Sequence, residues 1–226
     1  SGRSAIAGAN VRLVATSSSF RRSGVRNRCD TIASLGSLRD DVFEAAYRSN
    51  VSPPTFDVVI AGGGFAGMVT AAALSRAGFD VVIVEPRSSP EPRSLRGELL
   101  HPIACRALDD LGFSPDVSAA GAIGVSGFAA YADASAPPFL LDYGAHPGLA
   151  LEHGALVGAL RRTFEKRPGA RFVADKAVDV VREGTRIVGL RLASGETLSS
   201  RLLVVADGRH SKLRSLVGLD AEVKLV

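Results

Sequence analysis

The feature of this sequence that most constrains its fold is a short apolar run that leads straight into closely spaced glycines. The run Phe56-Asp57-Val58-Val59-Ile60-Ala61 is rich in β-branched residues, which predicts a buried parallel strand. Gly62, Gly64 and Gly67 follow it at the spacing Gly-x-Gly-x-x-Gly. A missing Cβ is useful at each position: Gly62 in a tight turn, Gly64 where backbone meets a pyrophosphate, and Gly67 where a helix packs on the strand. The pattern predicts a dinucleotide-binding βαβ unit.

A helix is predicted to begin within these glycines. The segment 66–77 places Val69, Ala73 and Leu74 at helical spacing, and Gly78 ends it. The first-turn N–H groups of such a helix and the positive end of its dipole suit a phosphate group, so charge can be neutralised there without a lysine.

A second strand, over 80–84, ends in Glu85, which lies 21 residues beyond Gly64. That is the usual place of the acid that accepts hydrogen bonds from ribose hydroxyls, and its charge would repel a 2′-phosphate. A glycine-rich turn alone, or a charge at a strand end alone, also occurs for structural reasons. The order of strand, glycines, helix, strand and acid favours a dinucleotide site, with FAD and NAD both open at this point.

A second motif, further along the chain, bears on whether the cofactor is FAD or NAD. The segment 202–206 predicts another buried strand, and Asp207, Gly208, Ser211 and Arg214 follow it. This motif resembles the second fingerprint of the group A flavin monooxygenases, the para-hydroxybenzoate hydroxylase-like family. The resemblance implies that Asp207, Gly208 and Arg214 help to hold the flavin pyrophosphate. The alternative is an ordinary turn followed by a basic helix start.

A third stretch narrows the resemblance. The segment 93–102 contains Gly-Glu-Leu-Leu, and it is followed by a predicted helix with Ala104, Leu108 and Leu111 on one face. It is similar to squalene epoxidase-like members of the family, in which an upstream arginine contacts FAD. Either Arg93 or Arg96 is the candidate here, and Glu98 has either a flavin-site role or a place in the first turn of a helix.

One position departs from the family pattern. Many relatives begin the helix near 151–166 with an arginine that reaches the flavin, whereas this chain has Glu152 and His153. We expect His153 either to replace that arginine as a donor or to be a cap or surface group. No catalytic residue and no metal ligand is predicted. The cofactor-binding residues that the motifs and the resemblance together imply are Gly62, Gly63, Gly64, Phe65, Ala66, Gly67, Glu85, Pro86, Arg87, Arg93, Arg96, Glu98, His153, Asp207, Gly208 and Arg214.

The predicted fold class is α/β, with an FAD-binding Rossmann-like domain of the glutathione reductase type and part of an antiparallel substrate-binding sheet. Two strands of that sheet are predicted between 125 and 143, where Phe128, Ala130 and Phe139 either line an apolar substrate site or belong to the core. Strands over 171–174, 177–182 and 186–193 are predicted to form hairpins leading back to the FAD sheet. The predicted divisions are a basic, disordered leader with a short helix over 37–48 (1–54), an FAD-binding βαβ part (55–120), a partial substrate sheet (121–150), a return to the FAD-binding domain (151–220) and a truncated end (221–226).

The distribution of charge argues against a nucleic-acid partner. Residues 1–29 contain six arginines and no acidic residue, whereas the rest of the chain carries 21 basic and 23 acidic side chains. The basic character therefore belongs to a tail, which resembles an organelle transit segment in composition. We expect a cytoplasmic protein, or an organelle-targeted one if the tail is a transit segment. No transmembrane segment is predicted, and peripheral membrane contact is left open.

As the resemblance implies, the expected function is an FAD-dependent monooxygenase that uses NAD(P)H and O2 to hydroxylate or epoxidise an apolar or aromatic small molecule. The family's Gly-Asp segment, which binds the flavin ribityl chain, is absent from these 226 residues, so the chain is expected to be an N-terminal part of the enzyme. The alternatives are another FAD oxidoreductase, of the geranylgeranyl-reductase or flavin-halogenase kind, and a non-catalytic FAD-binding fragment.

Overall fold

The computed structural model of the protein describes residues 56–87, 97–131 and 137–219, together with the backbone of Arg12–Leu13. Arg93, Arg96, the helix predicted over 37–48 and the divisions 1–54 and 221–226 lie outside these residues, apart from that backbone pair. The described residues form two compact units. One contains the described residues up to Arg87 and from Gly169 onward, and the other contains those from Gly97 to Pro168.

The first unit is built on a mixed sheet whose parallel strands are buried. The predicted strand Phe56–Ala61 (β2) is present, and Val58, Val59, Ile60 and Ala61 are each at most 1% exposed. Such a continuous Val/Ile run is typical of a parallel strand covered on both faces, and each buried branched side chain contributes about 1.5–3 kcal/mol. This sheet confirms the predicted α/β fold class. The other strands and helices of this unit are β1 (Arg12–Leu13), α1 (Phe65–Arg76), β3 (Val81–Val84), β9 (Arg171–Val173), β10 (Ala177–Glu183), β11 (Arg186–Leu192), β12 (Thr197–Val205) and α5 (Lys212–Leu216).

The order of strands in this sheet is β10-β11-β12-β2-β3-β9, with β1 paired to β12. Strands β12, β2, β3 and β9 run parallel, so their carboxyl ends lie along one edge. The predicted β10–β11 hairpin is present. The strand predicted at 171–174 was wrongly assigned to a hairpin, because β9 pairs parallel with β3. A three-residue strand carries too little sequence to specify its partner.

The inner face of α1 also differs from the prediction. Its buried residues are Gly67, Met68, Ala71 and Ala72, whereas Val69, Ala73 and Leu74 are only partly buried. The reason is that Gly67 has to lie against β2, and this contact sets the rotation of the helix. The residues one turn later, Ala71 and Ala72, therefore share the buried face.

The second unit contains a three-stranded antiparallel sheet, in which Gly148–Glu152 lies between Gly97–Leu100 and Ile123–Val125. It also contains a separate hairpin of Gly127–Ala130 with Phe139–Asp142, and three helices. The helices pack around Leu108, Phe113, Leu160 and Phe164, which are at most 3% exposed. The elements of this unit are β4 (Gly97–Leu100), α2 (Pro102–Asp110), α3 (Ser114–Ala119), β5 (Ile123–Val125), β6 (Gly127–Ala130), β7 (Phe139–Asp142), β8 (Gly148–Glu152) and α4 (His153–Glu165).

The unit boundaries do not follow the predicted divisions at 120 and 150. Because β4 pairs with β8, and α2 and α4 pack beside them, residues 97–120 and 151–168 fold with the second unit rather than with the Rossmann-like sheet. The pairing of β6 with β7 agrees with the two strands predicted there. Phe128 and Phe139 are 42% and 69% exposed, so within the described structure they are not core residues. None of the helices in the described ranges is long and apolar enough to cross a membrane.

Hydrogen bonds between Asp116 on α3 and the side chains of Thr163 and Lys166 link α3 to α4. They lead to a prediction about how the stability of the protein depends on pH. Thr163 Oγ1 donates to Asp116 Oδ2 at 2.6 Å, and Lys166 Nζ lies 3.1 Å from both carboxylate oxygens. The Thr163 hydrogen bond first, and then Lys166, lower the pKa of Asp116 below its ordinary value of 3.8. Because the folded-state pKa is depressed, the stabilisation is present above the unfolded pKa and is lost as the pH falls through the folded one.

We therefore expect Asp116→Asn to lower the free energy of unfolding by about 0.5–1 kcal/mol at pH 7. The difference from the unsubstituted chain should shrink as the pH is lowered below about 3.8. Urea unfolding followed by circular dichroism at a series of pH values measures this, with Asp109→Asn, an exposed neighbour, as the matched control. A difference that stays constant down to pH 2.5 would contradict an ionic origin.

Candidate cofactor site

Two of the motif glycines are required by the fold itself. Gly62 has φ of +106°, its N–H donates to the Val84 carbonyl at 2.8 Å, and an added Cβ would overlap the Ala206 carbonyl oxygen. An added Cβ on Gly67 would overlap the carbonyl oxygen of Gly62. The predicted roles of these two glycines, in a tight turn and in close helix packing, agree with this geometry.

Gly64 is different, because an added Cβ would meet no atom within 4 Å. It is the N-cap residue of α1, with extended φ and ψ of −76° and −173° that any residue adopts. The first turn of α1 has no side-chain cap and no acidic residue. The first N–H groups of a helix have no intrahelical partner, so this end of α1 suits an anion such as a phosphate. The open space beside Gly64 fits the predicted approach of a pyrophosphate.

Glu85 ties the glycine loop to the end of β3. The residue is 7% exposed, and its Oε2 accepts a hydrogen bond from Gly63 N at 2.9 Å. Its Oε1 accepts from Arg87 Nε at 2.8 Å and Arg87 N at 3.3 Å. Pro86 and Arg87 are exposed. The carboxylate therefore lies beside the loop, as the prediction of a ribose-binding acid requires.

We expect Glu85→Gln to weaken FAD binding about fivefold to tenfold, because the amide offers one acceptor oxygen where the carboxylate offers two. Titration of the purified variant with FAD, followed by flavin fluorescence, measures the change. Glu196→Gln is the matched control, since it makes the same exchange at an exposed residue just before β12, at the opposite end of that strand from Asp207. Glu196→Gln should change the affinity less than twofold, and equal losses in the two variants would contradict a direct contact by Glu85.

The second motif meets the first at the same edge of the sheet. Strand β12 runs parallel to β2 with Val205 opposite Ala61, and Ala206 N donates to the Ala61 carbonyl at 2.8 Å. A Cβ on Gly62 would lie 2.8 Å from Asp207 Cα, so the two loops are in backbone contact. Asp207 and Gly208 are exposed there.

The segment after Asp207 forms a turn and a short helix. Gly208 has φ of +98°, and the buried Ser211 accepts a hydrogen bond from Arg214 N at 2.9 Å to cap α5. Among the described residues, Arg214 Nε and Ser200 Oγ are the buried side-chain polar atoms that have no hydrogen-bond partner. An orphaned guanidinium donor in this motif fits a site that takes an anionic group. The alternative explanation, a turn followed by a basic helix start, is present in the structure, and the role of the motif in holding a pyrophosphate stays a prediction.

In the second unit, the structure pairs Glu98 with His153. Their Oε1 and Nδ1 atoms lie 2.6 Å apart, and the side chains are 40% and 31% exposed. Placing Glu98 in the first turn of a helix was wrong, because Gly97–Leu100 pairs with β8 as a strand and the helix begins at Pro102. His153 is not the helix cap either. The N-cap of α4 is Glu152, whose carboxylate accepts from Gly154 N at 3.0 Å and Ala155 N at 2.9 Å.

The structure thus brings together some of the residues that were predicted to bind the cofactor. In the first unit, the glycine loop, Glu85 and the Asp207 segment lie together, with Pro86 and Arg87 adjacent. Glu98 and His153 form a pair in the second unit, and Arg93 and Arg96 are outside the described residues. Sequence reasoning missed Phe172, whose ring lies 3.2 Å from the position of a Cβ on Gly63, and the pair formed by His101 and Tyr143. Neither contact has a local sequence signal. No group of three His, Cys, Asp or Glu side chains among the described residues is arranged to hold a metal ion.

Comparisons with known proteins agree with this geometry. A family model described as an FAD binding domain matches residues 55–225. Squalene monooxygenase of Mus musculus is 31% identical over 169 residues, which cover 70% of this chain and 29% of that protein. Menaquinone reductase of Mycobacterium tuberculosis H37Rv is 32% identical over 167 residues, covering 72% of this chain and 40% of that protein. The solved structure of the flavin-dependent brominase Bmp2 superposes with a TM-score of 0.64 at 26% identity, covering 73% of this chain and 40% of that one. The chain spans less than half the length of these three proteins.

Proposed function

Because the chain belongs to the family of FAD-binding domains, we propose that it is the flavin-holding part of an FAD-dependent monooxygenase. The proposed enzyme uses NAD(P)H and O2 to hydroxylate or epoxidise an apolar or aromatic small molecule. The observation that carries the proposal is the meeting of the glycine loop, Glu85 and the Asp207 segment at the carboxyl ends of β2, β3 and β12. Ligands of open α/β sheets bind at that edge.

Each residue of this edge has a task that follows from its chemistry. The open face of Gly64 admits the pyrophosphate to the first turn of α1, whose N–H groups and dipole offset its charge. Glu85 accepts hydrogen bonds from ribose hydroxyls while it holds the N–H of Gly63. Arg214 is partly exposed, and its buried Nε atom has no hydrogen-bond partner, so this atom can donate. When bound, FAD supplies the redox chemistry by taking electrons from NAD(P)H and delivering them to O2.

The names of two relatives support an apolar substrate. One is a squalene monooxygenase and the other a menaquinone reductase. The exposed apolar side chains of β6 and β7, among them Phe128, Phe139 and Leu141, suit a molecule of that kind. Such side chains bind by excluding water and need no charged partner.

A second candidate function is an FAD oxidoreductase that does not insert oxygen. The similarity to a menaquinone reductase supports it, because the name of that relative is that of a reductase. The two candidates differ in what becomes of the electrons. A monooxygenase consumes one O2 for each NAD(P)H and places one oxygen atom in the product, whereas a reductase transfers the electrons to its substrate.

The test begins with the purified chain and FAD. We expect a yellow complex that survives gel filtration and releases FAD on denaturation. NADPH and NADH are then supplied in turn with squalene and with a short-chain menaquinone, while oxygen uptake is recorded. Substrate-dependent oxygen uptake matched by an oxygenated product supports the monooxygenase. Oxidation of NAD(P)H without oxygen uptake supports the reductase, and a folded, colourless chain overturns both.

A further inference from the structure

The last part of strand β12 has an edge that strand β11 does not cover. Strand β11 pairs with β12 only over residues 197–199, where Gly189 lies opposite Ser199. On its other edge, β12 pairs with β2 from Ser200 to Val205. Beyond Ser199, the edge of β12 that faces away from β2 therefore has no partner in β11. Such an edge presents a row of N–H and C=O groups that can pair with another strand.

This uncovered edge is also apolar. The sequence over 202–205 is Leu-Leu-Val-Val, with no charged residue and no proline. Proteins protect the exposed edges of their sheets with charges, with prolines or with a covering segment. Because residues 202–205 offer neither of the first two, a covering segment is the protection that remains.

The N-terminal leader supplies such a segment. Arg12 lies opposite Val205 and Leu13 opposite Val204, as an antiparallel pair of strands. Since Val204 and Val205 already pair with β2 on one side, Arg12 and Leu13 occupy the other edge. The sequence suits this role, because residues 11–14 read Val-Arg-Leu-Val and β-branched residues favour strands. The leader thus contributes a strand to the sheet of the first unit.

One backbone N–H group of β12 points toward the leader. Ala206 N donates to the Ala61 carbonyl at 2.8 Å, which is the direction of β2. Successive residues of a strand turn their backbone groups to opposite edges, so the N–H and C=O of Val205 face Arg12. Arg12 and Val205 are therefore a hydrogen-bonded pair of the antiparallel ladder, and the N–H of Leu13 faces away from β12.

The paired residues lie beside the cofactor edge. Val205 is followed directly by Ala206 and Asp207, whose backbone is in contact with Gly62. A strand that is hydrogen-bonded on both edges opens less readily than one bonded on a single edge. Pairing with the leader therefore restrains β12 up to the loop that begins at Asp207.

We propose that the uncovered edge of β12, residues 202–205, is a docking site for the leader of the same chain, which adds Arg12–Leu13 as an antiparallel strand. The leader is then a structural part of the first unit, and its release weakens flavin binding by loosening the Asp207 loop. Only this effect on flavin rests on the proposed function. The docking itself needs no cofactor.

Hydrogen exchange of single backbone amides in the full chain, followed by NMR, tests the docking without FAD. Arg12→Pro removes the N–H that pairs with the Val205 carbonyl. We expect the Val205 amide to exchange about fivefold to tenfold faster in this variant. Leu13→Pro is the matched proline control, because an edge strand tolerates proline where the N–H faces away from the sheet. Arg12→Ala removes the charge and keeps the N–H. In both controls, Val205 should exchange as in the unsubstituted chain.

Three results would overturn the docking. The first is an unchanged exchange rate of Val205 in Arg12→Pro. The second is an equal acceleration of the Val58 and Val82 amides on β2 and β3, because that marks loss of the whole sheet rather than of one strand. The third is an acceleration in Arg12→Ala as large as in Arg12→Pro, because the charge and not the backbone pairing would then be responsible.

An FAD titration of the same samples tests the link to the cofactor. We expect Arg12→Pro to weaken FAD binding about twofold to fivefold, with both controls unchanged. Equal affinities in all samples would overturn the link between the leader and flavin binding. If no sample binds FAD, the proposed function fails, while the exchange rate of Val205 still decides whether the leader docks.

Discussion

Gly64→Val should abolish FAD binding while leaving the fold in place. A Cβ at this position meets no protein atom within 4 Å, and φ of −76° with ψ of −173° is a conformation that valine adopts readily. The branched side chain would then occupy the space that a pyrophosphate needs at the start of α1. We expect the dissociation constant for FAD to rise by at least about 100-fold, equivalent to roughly 2.7 kcal/mol.

Flavin fluorescence titration gives the affinity, and urea unfolding gives the stability of the same sample. The unfolding free energy should change by less than about 1 kcal/mol, which is the cost of replacing a glycine N-cap by valine. Gly124→Val is the matched control, because its Cβ also meets open space and it lies on β5 of the other unit. If flavin affinity survives in Gly64→Val, the cofactor does not approach this loop.

The fold around this loop could be predicted because its signals are local. The strand Phe56–Ala61 and the start of α1 follow from consecutive residues, since a β-branched run, three spaced glycines and a following helix each act within a few positions. Glu85 could be placed for the same reason, because a short helix and a short strand fix its distance from the glycines. The meeting of the two motifs was implied by the resemblance to the group A flavin monooxygenases, and no local signal in the sequence predicts it.

Features that depend on distant pairing could not be predicted. Glu98 lies on a strand because Gly97–Leu100 pairs with Gly148–Glu152, some fifty residues away. Its partner His153 and the pair of His101 with Tyr143 are equally remote in sequence. The rotation of α1 was missed for a related reason, since the contact of Gly67 with Gly62 decides which side chains are buried. Local periodicity does not encode such contacts.

The fold itself requires a glycine at position 67. A substitution at Gly67 should therefore lower the stability of the protein, whereas a substitution at Gly64 should lower its affinity for FAD and leave the stability nearly unchanged. In Gly67→Ala the new methyl would overlap the carbonyl oxygen of Gly62 and lie 3.0 Å from its carbonyl carbon. Neither atom can move away cheaply, because Gly62 N donates to the Val84 carbonyl and the residue has a positive φ. Helix α1 would have to shift away from β2, disturbing Met68 and Ala71, both of which are 0% exposed.

Alanine favours a helix over glycine by about 1 kcal/mol, but overpacking a rigid core contact costs about 1–3 kcal/mol and occasionally more. Because the obstacle here is backbone, we expect the clash to dominate and the unfolding free energy to fall by about 2–3 kcal/mol. Urea unfolding measures this, and Gly64→Ala is the matched control, with the same substitution three residues earlier and an unobstructed Cβ. Equal stabilities of the two variants would show that α1 does not rest on β2 through Gly67. A lower stability of Gly67→Ala than of Gly64→Ala would show that the fold needs a glycine at position 67 and does not need one at position 64.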